Sequence, residues 1–187
     1  MLLDAAVINM DLNVQLIDDC KNGSKSAYEE LYKLYVKAMY NVSIRITNDR
    51  EESEDVLQES FLSAFQNIDR LKERALFGSW LKRIVINKSI DSVKKRKEKF
   101  VSFDDIREKD VAEEEAANDE NEVEYDIESV NKAVQLLPDG FRTVLTLYLF
   151  EDYSHKEIAD VMGISENTSK TQYLRAKQRL IQLLKRK

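Results

Sequence analysis

Residues 154–187, SHKEIADVMGISENTSKTQYLRAKQRLIQLLKRK, constrain the chain more than any other stretch. Ser154 followed three residues later by Glu157 forms a capping box, which satisfies two of the unpaired amides at a helix start. Ile158, Ala159, Val161 and Met162 supply an apolar side. Gly163 then sits where a helix ends in the left-handed conformation that a residue without Cβ adopts at little cost. Ile164 fills the core and Ser165 caps a second helix, which carries no acid beyond Glu166. Tyr173, Leu180, Ile181 and Leu184 predict its buried side. Lys170, Thr171, Gln172, Arg175 and Lys177 are left facing outward. Two short helices meeting at a glycine, the second one basic, have the layout of a helix-turn-helix whose second helix enters a DNA major groove. The amides that open that helix suit a phosphate.

The remainder shows what such a DNA reader is attached to. A length of 187 residues allows one medium domain or two small ones. Only four glycines and one proline interrupt it, which predicts an all-α fold. No apolar run reaches the roughly 18 residues of a membrane span. The N-terminus MLLDAAVINMDLN has an early Asp4 and no basic start, unlike a secretory leader. Cys20 has no partner for an internal disulfide, and His155 is the single histidine, so no Cys/His zinc set exists. Cys20 reads as a half-buried helix residue and His155 as a surface or capping-turn residue. The expectation is a soluble, reduced, cytoplasmic protein. A net charge of −6 looks wrong for a nucleic-acid binder, but the charge is segregated. Residues 100–128 hold thirteen acids against Arg107 and Lys109, a local charge of −11, which leaves +5 for the rest. The basic blocks are 82–99 and 170–187.

In chain order, residues 11–21 predict a short helix with Leu12, Leu16 and Ile17 on one side, ended by Asn22-Gly23. Ser26 and Glu29 suggest a capping box for a helix over 27–46. Its stripe is Tyr28, Leu31, Tyr32, Tyr35, Met39, Val42 and Ile46, so the aromatics belong to the core. Residues 47–49 break the pattern. A helix over 54–68 buries Leu57, Phe61, Ala64, Phe65 and Ile68. Asp55, Gln58 and Glu59, at i, i+3 and i+4, share the opposite surface. That surface is either an ordinary solvated face or, since acids repel phosphate, a site that docks a protein. Residues 69–78 form a polar, basic connection. A helix over 79–97 buries Trp80, Leu81, Ile84, Val85 and Val93. Its other side carries Lys82, Arg83, Asn87, Lys94, Lys95, Arg96 and Lys97. This reads as a solvated helix end or as a surface for phosphates and bases. Residues 100–128 form a flexible acidic linker, a spacer or a mimic of nucleic acid. A helix over 129–137, a turn at 138–140 and an apolar segment over 141–150 lead into the helix-turn-helix. No nucleophile–base pair, glycine-rich phosphate loop or metal cluster is visible, so neither an enzyme nor a cofactor is expected. The predicted architecture is all-α, two small helical domains over 11–99 and 129–187 joined by the linker.

These residues resemble a known family across nearly the whole chain, from about Asp11 to Leu184. The chain resembles a bacterial RNA polymerase sigma factor of the extracytoplasmic-function (ECF) type. DVLQESFL at 55–62 is similar to the region that grips the polymerase clamp, and FGSWLKRIVIN at 77–87 to the region for the −10 element. Leu137-Pro138, Glu157-Ile158-Ala159, residues 162–165 and TSKTQYLRAK at 168–177 are similar to the region that reads the −35 element. The resemblance implies that Asp55, Gln58 and Glu59 contact core RNA polymerase. It implies that Lys82, Arg83, Asn87, Lys94 and Arg96 serve the −10 element, with Asn87 holding a flipped base of the non-template single strand. Residues 70–74 join them as phosphate or base contacts. Lys170, Thr171, Gln172, Arg175 and Lys177 would then read duplex DNA at −35. An anti-sigma factor is a further implied partner, and the acidic linker would run through the polymerase's RNA path. Four positions depart from the family pattern. Asp152 stands where Gly is common, Asn167 and Ser169 replace Gly and Val, and Phe65 replaces Trp. The chain ends just past the second helix of the pair, which predicts no fused regulatory domain. The residues alone also fit a stand-alone helix-turn-helix regulator, although no phosphoacceptor pattern or heptad seam accompanies it. They fit a protein-binding adaptor as a third reading.

Overall fold

The computed structural model describes residues 13–100 and 126–185, and every regular element among them is helical. Leu12 and most of the acidic stretch, 101–125, lie outside the described residues. The chain divides into two compact units, with the division between Ser92 and Val93, inside one helix.

The first unit opens with α1 over 13–21, closed by Gly23 at φ +82°. Next come α2 (Lys25–Thr47) and α3 (Arg50–Gln66), then two short 3-10 turns, Ile68–Arg70 and Arg74–Leu76. The helix α4 (Phe77–Phe100) follows, its residues from Val93 onward belonging to the second unit. Cap chemistry corrects two predicted starts. Ser24, not Ser26, caps α2, with its Oγ accepting from Ala27 N at 3.4 Å, and Ser26 Oγ lies 3.0 Å from it. Asn48 ends α2 in the left-handed region at φ 56°. Asp49 accepts from Glu52 N at 2.9 Å and so starts α3 at Arg50, a turn before the expected Glu54. With so short a connection, α2 and α3 pack on each other as a helical hairpin.

Leu31, Ile46, Leu57, Phe61, Ala64, Ile68, Leu81, Val85 and Ile86 form the buried interior, and Ile17 closes it from α1. Phe77, assigned from sequence to the polar connection, is among the largest fully buried side chains. Trp80 and Ile84 are only half-buried, whereas Ile86 and Ile90, not picked out by the sequence reading, are inside. The α2 aromatics pack on the margin of this core rather than inside it, with Tyr28 and Tyr35 half-buried and Tyr32 exposed. Tyr28 meets Phe65 with ring centroids 4.8 Å apart, Tyr32 meets Phe61 at 4.7 Å, and Tyr35 meets Phe77 at 5.3 Å.

A polar seam runs beside this core. Ser43, Thr47, Ser53 and Ser89 are fully buried. Ser89 Oγ of α4 donates to Ser43 Oγ of α2 at 3.1 Å, and Thr47 Oγ1 lies 2.7 Å from Ser53 Oγ of α3. Ser53 Oγ also donates to Asp49 O at 2.6 Å, and Ser92 Oγ of α4 to Glu52 Oε2 at 3.0 Å. Each hydroxyl exchanges water for a partner, so its burial costs little.

The second unit contains α5 (Ile127–Gln135), α6 (Asp139–Leu149), α7 (His155–Met162) and α8 (Glu166–Lys185). Asp126 caps α5 by accepting from Ser129 N at 2.8 Å, so α5 begins two residues before the predicted 129. The long α8 packs on α5, α6 and α7. The core is Val134, Leu137, Leu145 and Ala176, flanked by Val130, Phe141, Tyr173, Leu180 and Leu183. Leu184 is buried as expected, but Ile181 is 40% exposed. Arg142 is buried, and its guanidinium donates to Leu137 O at 2.7 Å and Asp139 Oδ1 at 2.5 Å. Asp152, between α6 and α7, sits at φ 57°. The turn therefore keeps a glycine-like backbone although the residue there is aspartate, one of the few side chains that tolerate it.

Candidate nucleic-acid interface

Local caps fix the α7–α8 pair. Ser154 Oγ accepts from Glu157 N at 3.3 Å, and Ser154 N donates to Glu157 Oε2 at 2.9 Å, the reciprocal box predicted from sequence. Gly163 adopts φ +69°, and Ser165 Oγ accepts from Thr168 N at 3.0 Å. Along α8 the outward side divides, since each residue advances about 100°. Thr171 and Arg175 are exposed and share a face with Asn167, Thr168, Gln178 and Arg179. The last four were not among the DNA contacts expected from sequence, although i±3 and i±4 spacing from Thr171 and Arg175 reaches them. Lys170 and Lys177 are exposed on a neighbouring edge beside Leu174, itself 58% exposed. Lys170 Nζ pairs with Glu166 Oε1 at 2.7 Å, and that hydrogen bond and charge hold the Glu166 carboxyl below the usual carboxylate range. Gln172 differs. It is half-buried, its Oε1 has no hydrogen-bond partner among the described residues, and a Cβ at Gly140 of α6 would lie 3.5 Å from that oxygen. The expectation that it faces outward is corrected, because it lies at the edge of the buried arc rather than on the Thr171–Arg175 face.

On α4, Arg83, Asn87 and Lys94 are exposed and fall on one stripe. Lys82 and Arg96 are half-buried, and their spacing sets them in the arc of Leu81, Val85, Ser89 and Val93. The five residues that the resemblance groups thus occupy two sides of one helix. On α3, Asp55, Gln58 and Glu59 are all exposed. Leu62, one step further along the same face, is 59% exposed and gives it an apolar end. Glu59 Oε2 accepts from Lys88 Nζ of α4 at 3.0 Å. Among the described residues no cluster of His, Cys, Asp or Glu suits a metal ion, and no helix is long and apolar enough to cross a membrane.

An exposed basic stripe thus lies on α4, another on the capped α7–α8 pair, and an acidic face on α3. Residues 31–99 match the family model for sigma-70 region 2, and residues 127–180 match that for sigma-70, region 4. The ECF RNA polymerase sigma factor SigM of Bacillus subtilis is 31% identical over 158 residues, spanning 84% of this chain and 95% of SigM. The chain belongs to the ECF RNA polymerase sigma factors. The RNA polymerase sigma-H factor of Pseudomonas aeruginosa is 28% identical over 92% of this chain and 93% of its own length. The fold of this sigma factor is similar to that of the sigma factor RpoE, solved in complex with the anti-sigma factor NepR from Bartonella quintana. That likeness has a TM-score of 0.55 at 22% identity, over 84% of this chain and 96% of the other. As a member of its family, the sigma factor directs RNA polymerase to promoters.

Proposed function

We propose that the two basic stripes are two DNA grips and that core RNA polymerase supplies the spacing between them. The observation that carries this reading is the pairing of Arg83, Asn87 and Lys94 on α4 with Thr171 and Arg175 on α8, all exposed. In the proposed division, residues 11–99 form the module for the polymerase clamp and the −10 element, residues 129–187 the module for −35, and 100–128 the tether. Asp55, Gln58 and Glu59 dock core polymerase, with Leu62 extending their face. Arg175 offers a fork that fits guanine or phosphate, Thr171 a hydroxyl for base edges, and Lys170 and Lys177 charge for the backbone. On α4, Arg83 and Lys94 hold phosphates while Asn87 captures an unstacked base of the non-template strand, so binding energy is spent on −10 strand opening. Lys82 and Arg96 act at the margin of that surface. Gln172 reaches adenine only after leaving its place beside Gly140. An anti-sigma factor is a proposed partner, as NepR is for RpoE.

The test is run-off transcription with core polymerase and this chain on a promoter mapped from transcript 5′ ends after overexpression. The expected result is promoter-dependent initiation. Lys170→Ala with Arg175→Ala should change promoter choice and leave core binding intact. A chain that neither binds core polymerase nor gives promoter-dependent transcripts refutes the proposal, and loss of core binding in that double variant refutes the division of labour.

A further inference from the structure

We propose that His155 and Ser169 form a positioning pair that sets how α8 meets the −35 element. The inference rests on the −35 role proposed for α8. Ser169 is fully buried, and its Oγ lies 3.0 Å from His155 Nδ1 at the first position of α7. The imidazole is held on both sides. It stacks on Tyr148 of α6 with centroids 4.6 Å apart and 16° between planes, and it meets Tyr173 of α8 edge-on at 5.7 Å and 64°. Tyr148 and Tyr173 also touch each other, at 4.5 Å. One ring therefore ties together three helices, and its nitrogen reaches back into the helix that carries the base-reading side chains.

Placement turns this contact into a positioning device. Two residues along a helix turn the direction by about 200°, so Ser169 sits nearly opposite Thr171. Arg175 shares the Thr171 face. The anchor thus lies behind the reading face and leaves it open. A hydrogen bond is directional, and an apolar contact is not, so this one fixes the rotation of α8 about its axis as well as its distance from α7. Base readout needs that rotation, because side chains pair with base edges in a narrow range of geometry. Phosphate contacts by the flexible, charged Lys170 and Lys177 do not. Sequence alone reads His155 as a surface or capping residue and Ser169 as a departure, and neither assignment links them.

The experiment uses holoenzyme assembled from core polymerase and the full chain, on the mapped promoter and on copies with single base changes at −35 or at −10. Ser169→Ala removes the hydroxyl. His155→Phe keeps a stacking ring without nitrogen, and His155→Asn returns a polar atom near the Nδ1 position. Ser169→Ala and His155→Phe should each lower the ratio of matched to substituted −35 activity by about three- to tenfold, the worth of one directional hydrogen bond. The −10 ratios and core binding should not change, and His155→Asn should hold the −35 ratio within about twofold of wild type. Thermal midpoints recorded on the same preparations separate positioning from lost folding. Unchanged −35 ratios in both variants overturn the inference, as do −35 and −10 ratios that fall together with thermal stability. A wild-type protein indifferent to −35 changes sinks the parent reading as well, whereas a dependent wild type with indifferent variants sinks this inference alone.

Discussion

Truncating Phe77 to alanine should selectively destabilise the first unit. The side chain is 1% exposed, and its ring meets Tyr35 at 5.3 Å and Trp80 at 6.0 Å. Removing a buried phenyl costs about 3–5 kcal/mol, with the low end reserved for sites whose neighbours collapse into the space. Collapse is limited here. Tyr35 already packs on the α4 backbone, so closely that a Cβ at Gly78 would sit 2.9 Å from its ring. An intermediate loss of about 4 kcal/mol is a large share of the roughly 5–15 kcal/mol that holds a domain together. At about 4–8 °C per kcal/mol for a unit of this size, the midpoint should fall by roughly 15–30 °C. The single tryptophan of the chain, Trp80, lies in the first unit, so its fluorescence reports that transition while far-UV circular dichroism reports both. The expected result is an early fluorescence transition with part of the helical signal melting where it did before. A fluorescence midpoint lowered by less than about 5 °C would refute the packing argument. A joint early melt of all helical signal would refute the selectivity of the effect.

Charge reversal at Glu59 to Lys should weaken core polymerase binding about tenfold or more in a pull-down or anisotropy titration, whereas Lys88→Ala should change stability by less than about 0.5 kcal/mol, since their ion pair is exposed. Burial, aided by the Asp19 charge, pushes the Cys20 thiol up to about 11. At pH 8 its alkylation should therefore be roughly 100-fold slower in the folded protein than in urea, and equal rates would contradict its burial. Because the folded thiol holds its proton more tightly than the unfolded one, the associated stability is present at neutral pH and lost as pH rises through about 9 to 11. Ser154→Ala should cost the second unit about 1 kcal/mol in chemical denaturation, and a loss below about 0.3 kcal/mol would deny the capping box its part.

The second unit was the more legible from sequence because its signals are local. Ser154 with Glu157, Gly163 and Ser165 each act within four residues, and the caps in the structure are those chemistry requires. The first unit was harder. Ser24 and Ser26 are both competent caps, and the winner is decided by where the chain leaves α1. Asp49 looked like part of a break because it ends one pattern and starts the next. Phe77 sits between a 3-10 turn and an α-helix, where no single period runs long enough to mark it as inside. The resemblance groups Lys82 and Arg96 with Arg83, Asn87 and Lys94, but helix phase separates them. Gln172 and Ile181 fall at the borders of the buried arc, where tertiary packing chooses the side. The pairing of His155 with Ser169 spans fourteen residues, and no local rule reaches that far.

The buried hydroxyls between α2, α3 and α4 have a mechanical consequence. Aliphatic side chains against one another tolerate sliding, because a methyl group meets an equivalent methyl group one step along. Ser89 against Ser43 and Ser92 against Glu52 have no such equivalents, and a shift of α4 by one turn would break both hydrogen bonds. The seam therefore works as a ratchet stop. A pull on the exposed side of α4 is resisted by these bonds and not absorbed by slippage along α2 and α3.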